Sequence, residues 1–272
     1  MKIAVHQMCS GIDPFENTRK IMDGIALAGQ QGACMYFAPE MSVLIDRDRT
    51  RAKASINFEA NNPLLNAIRK AAADAQIWVN LGSMPFVHED GSGRYGNRSI
   101  VIDDQGIVRA RYDKMHLFDV DLSTGEQWRE SAAYRGGDGP VVVETPLGLM
   151  GLTICYDMRF PDLYSHLAQA GAQVFSVPAA FTVPTGKVHW HILLRARAIE
   201  SAAFVIAAAQ SGHHADGRET FGHSLVVDPW GEVILDMGEG EGLSCVDLDL
   251  ARIDAVRAQI PVHLNRRVIP TL

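Results

Sequence analysis

The sequence predicts an α/β protein, an α-β-β-α sandwich in which two mixed sheets pack face to face with helices outside. Short apolar runs alternate with segments of helical periodicity along the chain, which is typical of layered α/β folds. Two pairs of runs are joined by tight turns at 103–106 and 146–148, so antiparallel pairs accompany parallel ones. Two stacked sheets would accommodate this many strands in one domain.

Capping residues and apolar periodicity indicate five helices. Asp13 and Pro14 open the first, and Asn62 and Pro63 open the second, because Asx side chains cap N-termini and proline suits the first turn. The other three are expected at 160–170, at 187–203 and from about Leu250 to just before Pro261. On the longest helix, one face carries Val188, Ile192, Ala196, Ile199 and Ala203.

Eleven short segments are interpreted as strands. They lie at 2–8, 34–38, 76–81, 97–102, 107–112, 141–145, 149–154, 173–177, 204–208, 223–228 and 232–236. Neither an internal repeat nor a long linker interrupts them. We therefore expect one domain over residues 1–272.

Charge and hydropathy exclude several classes of partner. The net charge of −7 excludes a basic nucleic-acid footprint. The longest apolar run, 202–209, is far shorter than the roughly 20 residues that span a bilayer, so no membrane association is expected. His6 and Gln7 stand where a signal peptide would be apolar. We expect a cytoplasmic protein.

Some motifs suggest chemistry that their context does not support. The segment 91–96 matches G-x-G-x-x-G but leads into a strand rather than a helix, so it is interpreted as a hairpin loop. Asn97-Arg98-Ser99 matches a glycosylation sequon, which indicates little without a secretory signal. The histidine pairs lack zinc-site spacing, so neither metal nor cofactor is expected; they are His189 with His191 and His213 with His214.

Cys155 stands where an apolar strand turns into a helix that begins at Pro161 and Asp162. On such an elbow we expect the sulfur to be exposed above the sheet edge, near backbone N–H groups and a helix N-terminus. The positive electrostatic potential of these N–H groups and of the helix N-terminus stabilises a thiolate and lowers the pKa of a cysteine. Cys155 is therefore a candidate nucleophile. No two of the four cysteines have C-x-x-C spacing.

A carboxylate and an ammonium follow two other strands. Pro39 ends one strand and leaves Glu40 at its carboxyl end, and Lys114 comes just after the strand 107–112. Sites in α/β sheets form at the carboxyl ends of strands. Three strand ends therefore offer a carboxylate, an ammonium and a thiol.

Together these segments resemble the nitrilase superfamily of carbon–nitrogen hydrolases. The resemblance extends from Ile3 to about Arg267 and rests on Pro39-Glu40, on Lys114 with His116-Leu117-Phe118-Asp119, and on Cys155-Tyr156-Asp157-Met158-Arg159-Phe160-Pro161. The branch that contains omega-amidase and deaminated-glutathione amidase is the most similar. The resemblance implies the same α-β-β-α fold.

The resemblance also implies a catalytic set. Glu40, Lys114 and Cys155 belong to it, with a second glutamate between the lysine and the cysteine. Glu130 matches that position and is preferred to its neighbour Glu126. In this interpretation Cys155 attacks an amide carbonyl, Lys114 stabilises the oxyanion and Glu40 moves protons.

The implied reaction converts a small, carboxylate-bearing amide to an acid and ammonia through a thioester. Deaminated glutathione and an omega-amide of a 2-oxo acid are the candidate substrates. Tyr156, whose N–H would complete the oxyanion site, Phe181 and Thr182 are candidate substrate contacts. Candidate partners for the substrate carboxylate are Arg159, Lys187 and Arg218.

Two other functions remain open. One is hydrolysis of N-carbamoyl amino acids or nitriles within the same superfamily. The other is a catalytically silent binding or scaffold protein, against which the intact catalytic set argues. The resemblance further implies a homodimer or higher homo-oligomer, with the tail at about 261–272 in the subunit interface.

Overall fold

The computed structural model describes residues 1–121, 125, 127–268 and 270. Its strands are β1 (Lys2–Gln7), β2 (Met35–Phe37), β3 (Trp78–Asn80), β4 (Met84–Val87), β5 (Tyr95–Ile102), β6 (Val108–Asp113), β7 (Asp119–Asp121), β8 (Gln127–Arg129), β9 (Val141–Thr145), β10 (Gly148–Leu152), β11 (Val174–Ser176), β12 (Phe204–Ala207), β13 (Ser211–His213), β14 (Glu219–Phe221), β15 (Leu225–Val227), β16 (Val233–Asp236) and β17 (Gly242–Asp247). Its α-helices are α1 (Pro14–Gln30), α2 (Arg49–Lys53), α3 (Pro63–Ala75), α4 (Pro161–Gln169), α5 (Val183–Ser201), α6 (Ala251–Gln259) and α7 (Val262–Asn265).

Two large mixed sheets contain most of the strands. The first has the order β17-β1-β2-β3-β5-β4, with β6 paired to β5. The second has the order β16-β15-β12-β11-β10-β9. In each sheet a parallel centre, β1-β2-β3 or β10-β11-β12, is flanked by antiparallel strands. Both expected hairpins, β5–β6 and β9–β10, are confirmed.

The two large sheets share one hydrophobic core. Buried side chains from the first sheet, such as Val5 and Phe37, cluster with Leu152 from the second. Between the sheets, Asn80 Nδ2 on β3 donates to Ser176 Oγ on β11 across 2.7 Å. The buried polar pair is therefore satisfied within an otherwise apolar layer.

Helices cover the outer faces, as expected. Asp13 caps α1 by accepting hydrogen bonds from two backbone N–H groups, and Asn62 caps α3 in the same way. Ile25 of α1 and Ile68 of α3 pack with Tyr36 on the outer face of the first sheet. Helices α4 and α5 lie over the second sheet. The predicted α-β-β-α arrangement is confirmed.

Helix α5 differs from its expected form. It begins at Val183 rather than at 187, because Pro184 occupies the first turn, where proline costs no hydrogen bond. Its buried side contains Trp190, Leu194 and Ala198. Three residues of the apolar face noted in the sequence are instead exposed: Val188 by 61%, Ile192 by 68% and Ile199 by 50%.

Several short elements were not predicted. β17 pairs antiparallel with β1 at the edge of the first sheet, and α7 follows Pro261 although α6 was expected to be the last helix. The other missed elements are α2, β4, β7, β8, β13 and β14. Such short segments owe their conformation to tertiary pairing rather than to their own pattern. Among the described residues, no helix has both the length and the apolar character needed to cross a bilayer.

Candidate active site

Loops at the ends of several strands enclose one cavity. Glu40 follows β2, Lys114 follows β6 and Cys155 follows β10, and all three line a cavity of about 450 Å³. Glu130 joins them from the short 3-10 helix Glu130–Ala132 after β8. The volume lies within the range of roughly 300–1,000 Å³ typical of small-molecule sites. The four expected catalytic side chains therefore meet at one place.

The turn that contains Glu40 is tightly constrained. Gly82 has a φ of +74°, and a Cβ atom there would lie 2.0 Å from the carbonyl oxygen of Pro39, so only glycine allows this packing. Met41 also has a positive φ, of 53°, and its N–H donates to Ser83 Oγ. The position of the Glu40 backbone is therefore set by its two neighbouring residues.

Cys155 begins a 3-10 helix, Cys155–Arg159, in a strained conformation. Its φ of +48° lies in the left-handed region, which is costly for a residue with a Cβ atom and recurs at functional sites. The buried carboxylate of Asp157 holds the elbow by accepting hydrogen bonds from Ile154 N, Tyr112 Oη and both nitrogens N and Nδ1 of His116, at 2.7–3.0 Å.

The environment of Cys155 corrects one expectation. The residue is only 7% exposed, whereas an exposed sulfur was expected. Burial raises the pKa of the thiol well above its ordinary value of 9.0, repulsion from the Glu40 carboxylate adds to the rise, and attraction to Lys114 opposes it. The expectation of a stabilised thiolate is therefore wrong for the free protein. The thiol is neutral, and a base must remove its proton during attack.

Lys114 lies between the two carboxylates. Its Nζ is 2.9 Å from Glu40 Oε1 and 2.8 Å from Glu130 Oε2. Burial alone would lower the pKa of Lys114, but the two carboxylates outweigh it and raise the pKa well above 10.5. Burial likewise opposes ionisation of Glu40, but attraction to Lys114 and hydrogen bonds lower its pKa below 4.5. The free site therefore contains an ammonium beside an ionised Glu40.

Glu130 occupies the position expected for the second glutamate. Besides Lys114, its Oε2 accepts a hydrogen bond from Phe118 N across 2.7 Å. Glu126, the rival candidate, lies outside the described residues. The preference for Glu130 agrees with this geometry.

Asn97, which the sequence analysis did not identify as a site residue, joins the two glutamates. Its Nδ2 donates to Glu40 Oε1 at 3.0 Å and to Glu130 Oε1 at 3.2 Å. Asn97 is fully buried, so the sequon at this position is not available for glycosylation. Asn97 is the third residue of β5 and is followed by Arg98 and Ser99, so no contrast with apolar neighbours distinguished it in the sequence.

The remaining candidates fall into two groups. Tyr156, Phe181 and Thr182 line the cavity. Arg159 lies outside it, with its guanidinium 5.4 Å from the Phe181 ring.

Of the candidate cations, Lys187 is exposed outside the cavity, whereas Arg218 lines it. Arg218 and Arg47, which sequence reasoning missed, place their guanidinium carbons 5.5 and 4.7 Å from the Trp128 ring. Arg218 is paired with the buried Asp216, whereas Arg47 forms no ion pair within the described part of the chain. Arg47 therefore has the less compensated charge.

Comparison with known proteins places this site in a family. The carbon-nitrogen hydrolase family matches residues 2–258. A deaminated glutathione amidase from Yersinia enterocolitica is 38% identical over 99% of this chain and 94% of its own length. The nitrilase and fragile histidine triad fusion protein NitFhit of Caenorhabditis elegans superposes with a TM-score of 0.89 at 37% identity, over 98% of this chain and 65% of the fusion protein.

A third relative carries chemical information. An amidase from Nesterenkonia superposes with a TM-score of 0.79 at 29% identity, over 97% of this chain and 99% of its own, and in that structure acrylamide has added to the active-site cysteine. The resemblance to the nitrilase superfamily is thus confirmed. The chain belongs to the carbon–nitrogen hydrolase family, and its activity is that of a cysteine amidase that cleaves carbon–nitrogen bonds other than peptide bonds.

Proposed function

We propose that this amidase hydrolyses deaminated glutathione, with Cys155 as nucleophile, Glu40 as general base and Lys114 as oxyanion partner. The observation that carries the assignment of roles is the Nζ of Lys114, held between Glu40 and Glu130 in the cavity that Cys155 also lines. Support for the substrate comes from the Yersinia relative, whose name states that activity, and from the arginines at the cavity.

In the first half-reaction Glu40 accepts the thiol proton as the sulfur of Cys155 attacks the amide carbon. The carbonyl oxygen becomes an oxyanion, which Lys114 Nζ and the backbone N–H of Tyr156 stabilise. One such donor is worth on the order of 10²–10³ in rate. The carbon–nitrogen bond then breaks as Glu40 returns its proton to the leaving nitrogen, which leaves a thioester on Cys155.

In the second half-reaction Glu40 takes a proton from water as its oxygen attacks the thioester carbon. The same oxyanion donors act again. The carbon–sulfur bond breaks, the acid product leaves, and the proton on Glu40 returns to the sulfur. Glu130 orients Lys114 through their 2.8 Å contact and hydrogen-bonds the substrate nitrogen.

The nature of the leaving group depends on the substrate. Deaminated glutathione retains the side-chain amide of glutathione, so its leaving group is the amine of cysteinylglycine. An omega-amide of a 2-oxo acid releases ammonia instead. An ammonia assay therefore detects only the second type of substrate, and a complete test must also detect the 2-oxo acid.

Two arginines that line the cavity, Arg47 and Arg218, suit a substrate with carboxylates. The guanidinium carbon of Arg47 lies 4.7 Å from the centroid of the Trp128 ring, and Trp128 lines the cavity. A substrate carboxylate placed beside Arg47 would accept hydrogen bonds from its guanidinium, and charge-assisted pairs of arginine with carboxylate are strong. We therefore assign Arg47, rather than Arg159 or Lys187, to the substrate carboxylate.

A substrate panel tests the proposal. The kcat/KM values of wild-type protein are measured for deaminated glutathione, an omega-amide of a 2-oxo acid, an N-carbamoyl amino acid and an aliphatic nitrile. We expect the highest value for deaminated glutathione. A higher value for the carbamoyl compound or the nitrile would instead establish the alternative substrate class.

Cysteine variants test the nucleophile in the same assay. Cys155→Ala should abolish turnover and leave the circular dichroism spectrum unchanged, because alanine fits the same elbow. Cys34→Ala and Cys245→Ala, at two partly buried thiols away from the cavity, are the matched controls and should retain most activity. More than a few per cent of activity in Cys155→Ala would exclude Cys155 as nucleophile.

We further propose that two copies of the chain associate through α5 and the C-terminal segment. The exposed face Val188, Ile192 and Ile199 lies beside the turn at Trp230, which is also exposed, and α7 packs against the same helix. A contiguous apolar surface of this kind is typical of protein interfaces. The tail from Pro261 would then lie in the subunit interface, as the resemblance implies.

Residues 1–272 are proposed to form one domain, since β1 near the start of the chain pairs with β17 near its end. The cytoplasm is the proposed location. All four cysteines are unpaired thiols, which suits a reducing compartment.

A further inference from the structure

Two histidines and an aspartate meet on the surface beside α5, away from the cavity. His191 lies on α5, His223 in the turn before β15, and Asp236 at the end of β16. His191 Nε2 is 2.9 Å from Asp236 Oδ2, and His223 Nδ1 is 2.9 Å from Asp236 Oδ1. None of the three lines the catalytic cavity. They form the one group of at least three such potential ligands found within the described residues.

The spacing of these atoms suits a small divalent ion. The candidate ligand atoms all lie within 4.8 Å of one another. Zinc binds histidine nitrogen and carboxylate oxygen at roughly 2.0–2.2 Å, so ligand atoms around a tetrahedral ion are about 3.3 Å apart. The two nitrogen–oxygen separations are already near that value. The two histidine nitrogens need to approach each other by at most about 1.5 Å.

The backbone around His223 holds its ring in place. The residue has a φ of +54°, a conformation that is uncommon for residues other than glycine, although histidine adopts it more often than most. Its carbonyl oxygen accepts a hydrogen bond from Trp190 Nε1 at 2.8 Å, and its ring stacks on Phe221 with centroids 4.5 Å apart. Residues with a strained backbone conformation that the surrounding structure maintains occur often at functional sites.

A further hydrogen bond fixes the carboxylate of Asp236. Its Oδ1 accepts a hydrogen bond from Gly238 N at 2.9 Å, which orients the carboxylate toward the two rings. A ligand fixed by a further hydrogen bond keeps its orientation when the ion is absent. In the single chain His191 and His223 are partly exposed and Asp236 is exposed, so an ion can reach them from solvent.

We propose that His191, His223 and Asp236 bind one divalent transition-metal ion, with zinc as the natural occupant and water as the fourth ligand. Imidazole and carboxylate ligands suit zinc. The ion replaces the hydrogen bonds among the three side chains and links α5 to the ends of two sheet strands. Its role is structural, because none of the three ligands lines the catalytic cavity.

Sequence reasoning rejected a metal here because it compared His191 with His189, its neighbour along the chain. The ligands instead come from segments 32 and 13 residues apart, from His191 to His223 and from His223 to Asp236. No local spacing motif connects them. Only the packing of α5 against the second sheet brings the three side chains together.

Cobalt titration tests the site on the full chain. Chelator-treated Cys155→Ala protein, which lacks the catalytic thiol, is titrated with Co²⁺ while its visible absorption is recorded. We expect one Co²⁺ per chain with the bands of nitrogen and oxygen ligation, displaced by Zn²⁺. Saturating Zn²⁺ at a hundredfold excess over Kd should raise the thermal midpoint by about 5 °C.

Ligand variants decide where the ion binds. His191→Gln, His223→Asn and Asp236→Asn should each weaken Co²⁺ binding by at least about tenfold. Asparagine is chosen at position 223 because it tolerates a positive φ. The matched control is His213→Gln, since His213 faces only one carboxylate, that of Glu219 at 3.5 Å. The control should keep wild-type affinity.

Two results would contradict the proposed metal site. Equal affinity in the wild-type protein and in His191→Gln, a change at a partly exposed helix position, would overturn the proposal even if another variant failed to fold. So would a sulfur-to-cobalt charge-transfer band, which would place the ion at a cysteine, for example at the Cys9–His214 pair, where Sγ and Nδ1 are 3.7 Å apart. Failure of this test leaves the amidase proposal unaffected.

Discussion

The side-chain amide of Asn97 donates a hydrogen bond to Glu40, with Nδ2 3.0 Å from Oε1. The same oxygen accepts a hydrogen bond from Lys114 Nζ, and Oε2 accepts one from Ala180 N at 2.8 Å. Three donors therefore stabilise the ionised form of a buried carboxylate. Asn97 does not touch the reacting atoms in the proposed mechanism. It is a positioning residue that keeps Glu40 ionised and aimed at the thiol.

Asn97→Asp should reduce kcat by about 10²-fold and move the acidic limb of the pH profile upward. The change preserves the shape of the side chain but places a third carboxylate beside Glu40 and Glu130. Repulsion raises the pKa of Glu40, so the base is lost at higher pH. The pH dependence of kcat measures both effects.

The matched control for this change is Asn57→Asp, an identical substitution at an exposed residue. It should leave both kcat and the pH profile unchanged. A lower kcat in Asn97→Asp without any shift of the acidic limb would indicate a merely structural role for Asn97.

Substitutions of Glu40 and of Glu130 should have different effects on turnover. Glu40→Gln should stop turnover, because an amide cannot accept the proton of the thiol or of water. Glu130→Gln keeps the shape but loses the charge beside Lys114, so it should retain slow turnover with a raised KM. Misplacement by about 1 Å can cost roughly 10²-fold in rate.

Mass spectrometry of each glutamate variant after mixing with substrate distinguishes their roles. An acyl adduct on Cys155 should last longer in Glu40→Gln than in Glu130→Gln, because only Glu40 activates the hydrolytic water. Full activity in both Glu130→Gln and Glu130→Ala would remove Glu130 from the catalytic set and return attention to Glu126.

Turnover should withstand acid to an unusual degree. In the free protein Lys114 lowers the pKa of Glu40 below 4.5, so most of the base is ionised at pH 4.5, and kcat/KM, which reports the free enzyme, should fall only at lower pH. The same shift stabilises the fold above the unfolded-state pKa, and that contribution is lost as pH falls through the folded-state value. Initial rates, measured where circular dichroism shows folded protein, test this. An acidic limb centred above pH 5 would contradict it.

Arg47→Ala should raise KM for deaminated glutathione by about tenfold with a smaller effect on kcat. The side chain is assigned to a carboxylate remote from the reacting bond, and an ion-paired hydrogen bond to ligand contributes roughly 1.5–3 kcal/mol. Lys187→Ala, at an exposed cation outside the cavity, is the control and should leave KM unchanged. An unchanged KM in Arg47→Ala would return the assignment to Arg218.

Ile192→Asp should convert the proposed dimer to monomer. Two charges would enter an apolar interface, one from each copy, without partners there. Leu27→Asp changes an exposed leucine on α1, which lies on the other sheet, and should leave the oligomeric state unchanged. Sedimentation velocity of the three proteins measures the result. A monomeric wild-type protein would exclude the interface.

Much of the site was predictable because its main residues stand at the ends of strands. Glu40, Lys114 and Cys155 each follow a predicted strand, and the carboxyl ends of strands meet at one edge. Asn97 and Asp157 were missed because they act through contacts between segments. Arg47 was missed because a charged run such as 46–51 is ordinarily a solvated surface.

The sequence by itself determined the layered α/β fold, the helix caps at Asp13 and Asn62, and the choice of candidate catalytic side chains, because these depend on local pattern and on motif. Tertiary structure decided the protonation state of Cys155, since burial and the charge of Glu40 come from packing between distant segments. It also decided the exposure of Ile192 and the meeting of His191 with Asp236. Electrostatics and burial depend on distance in space, which spacing along a chain does not specify.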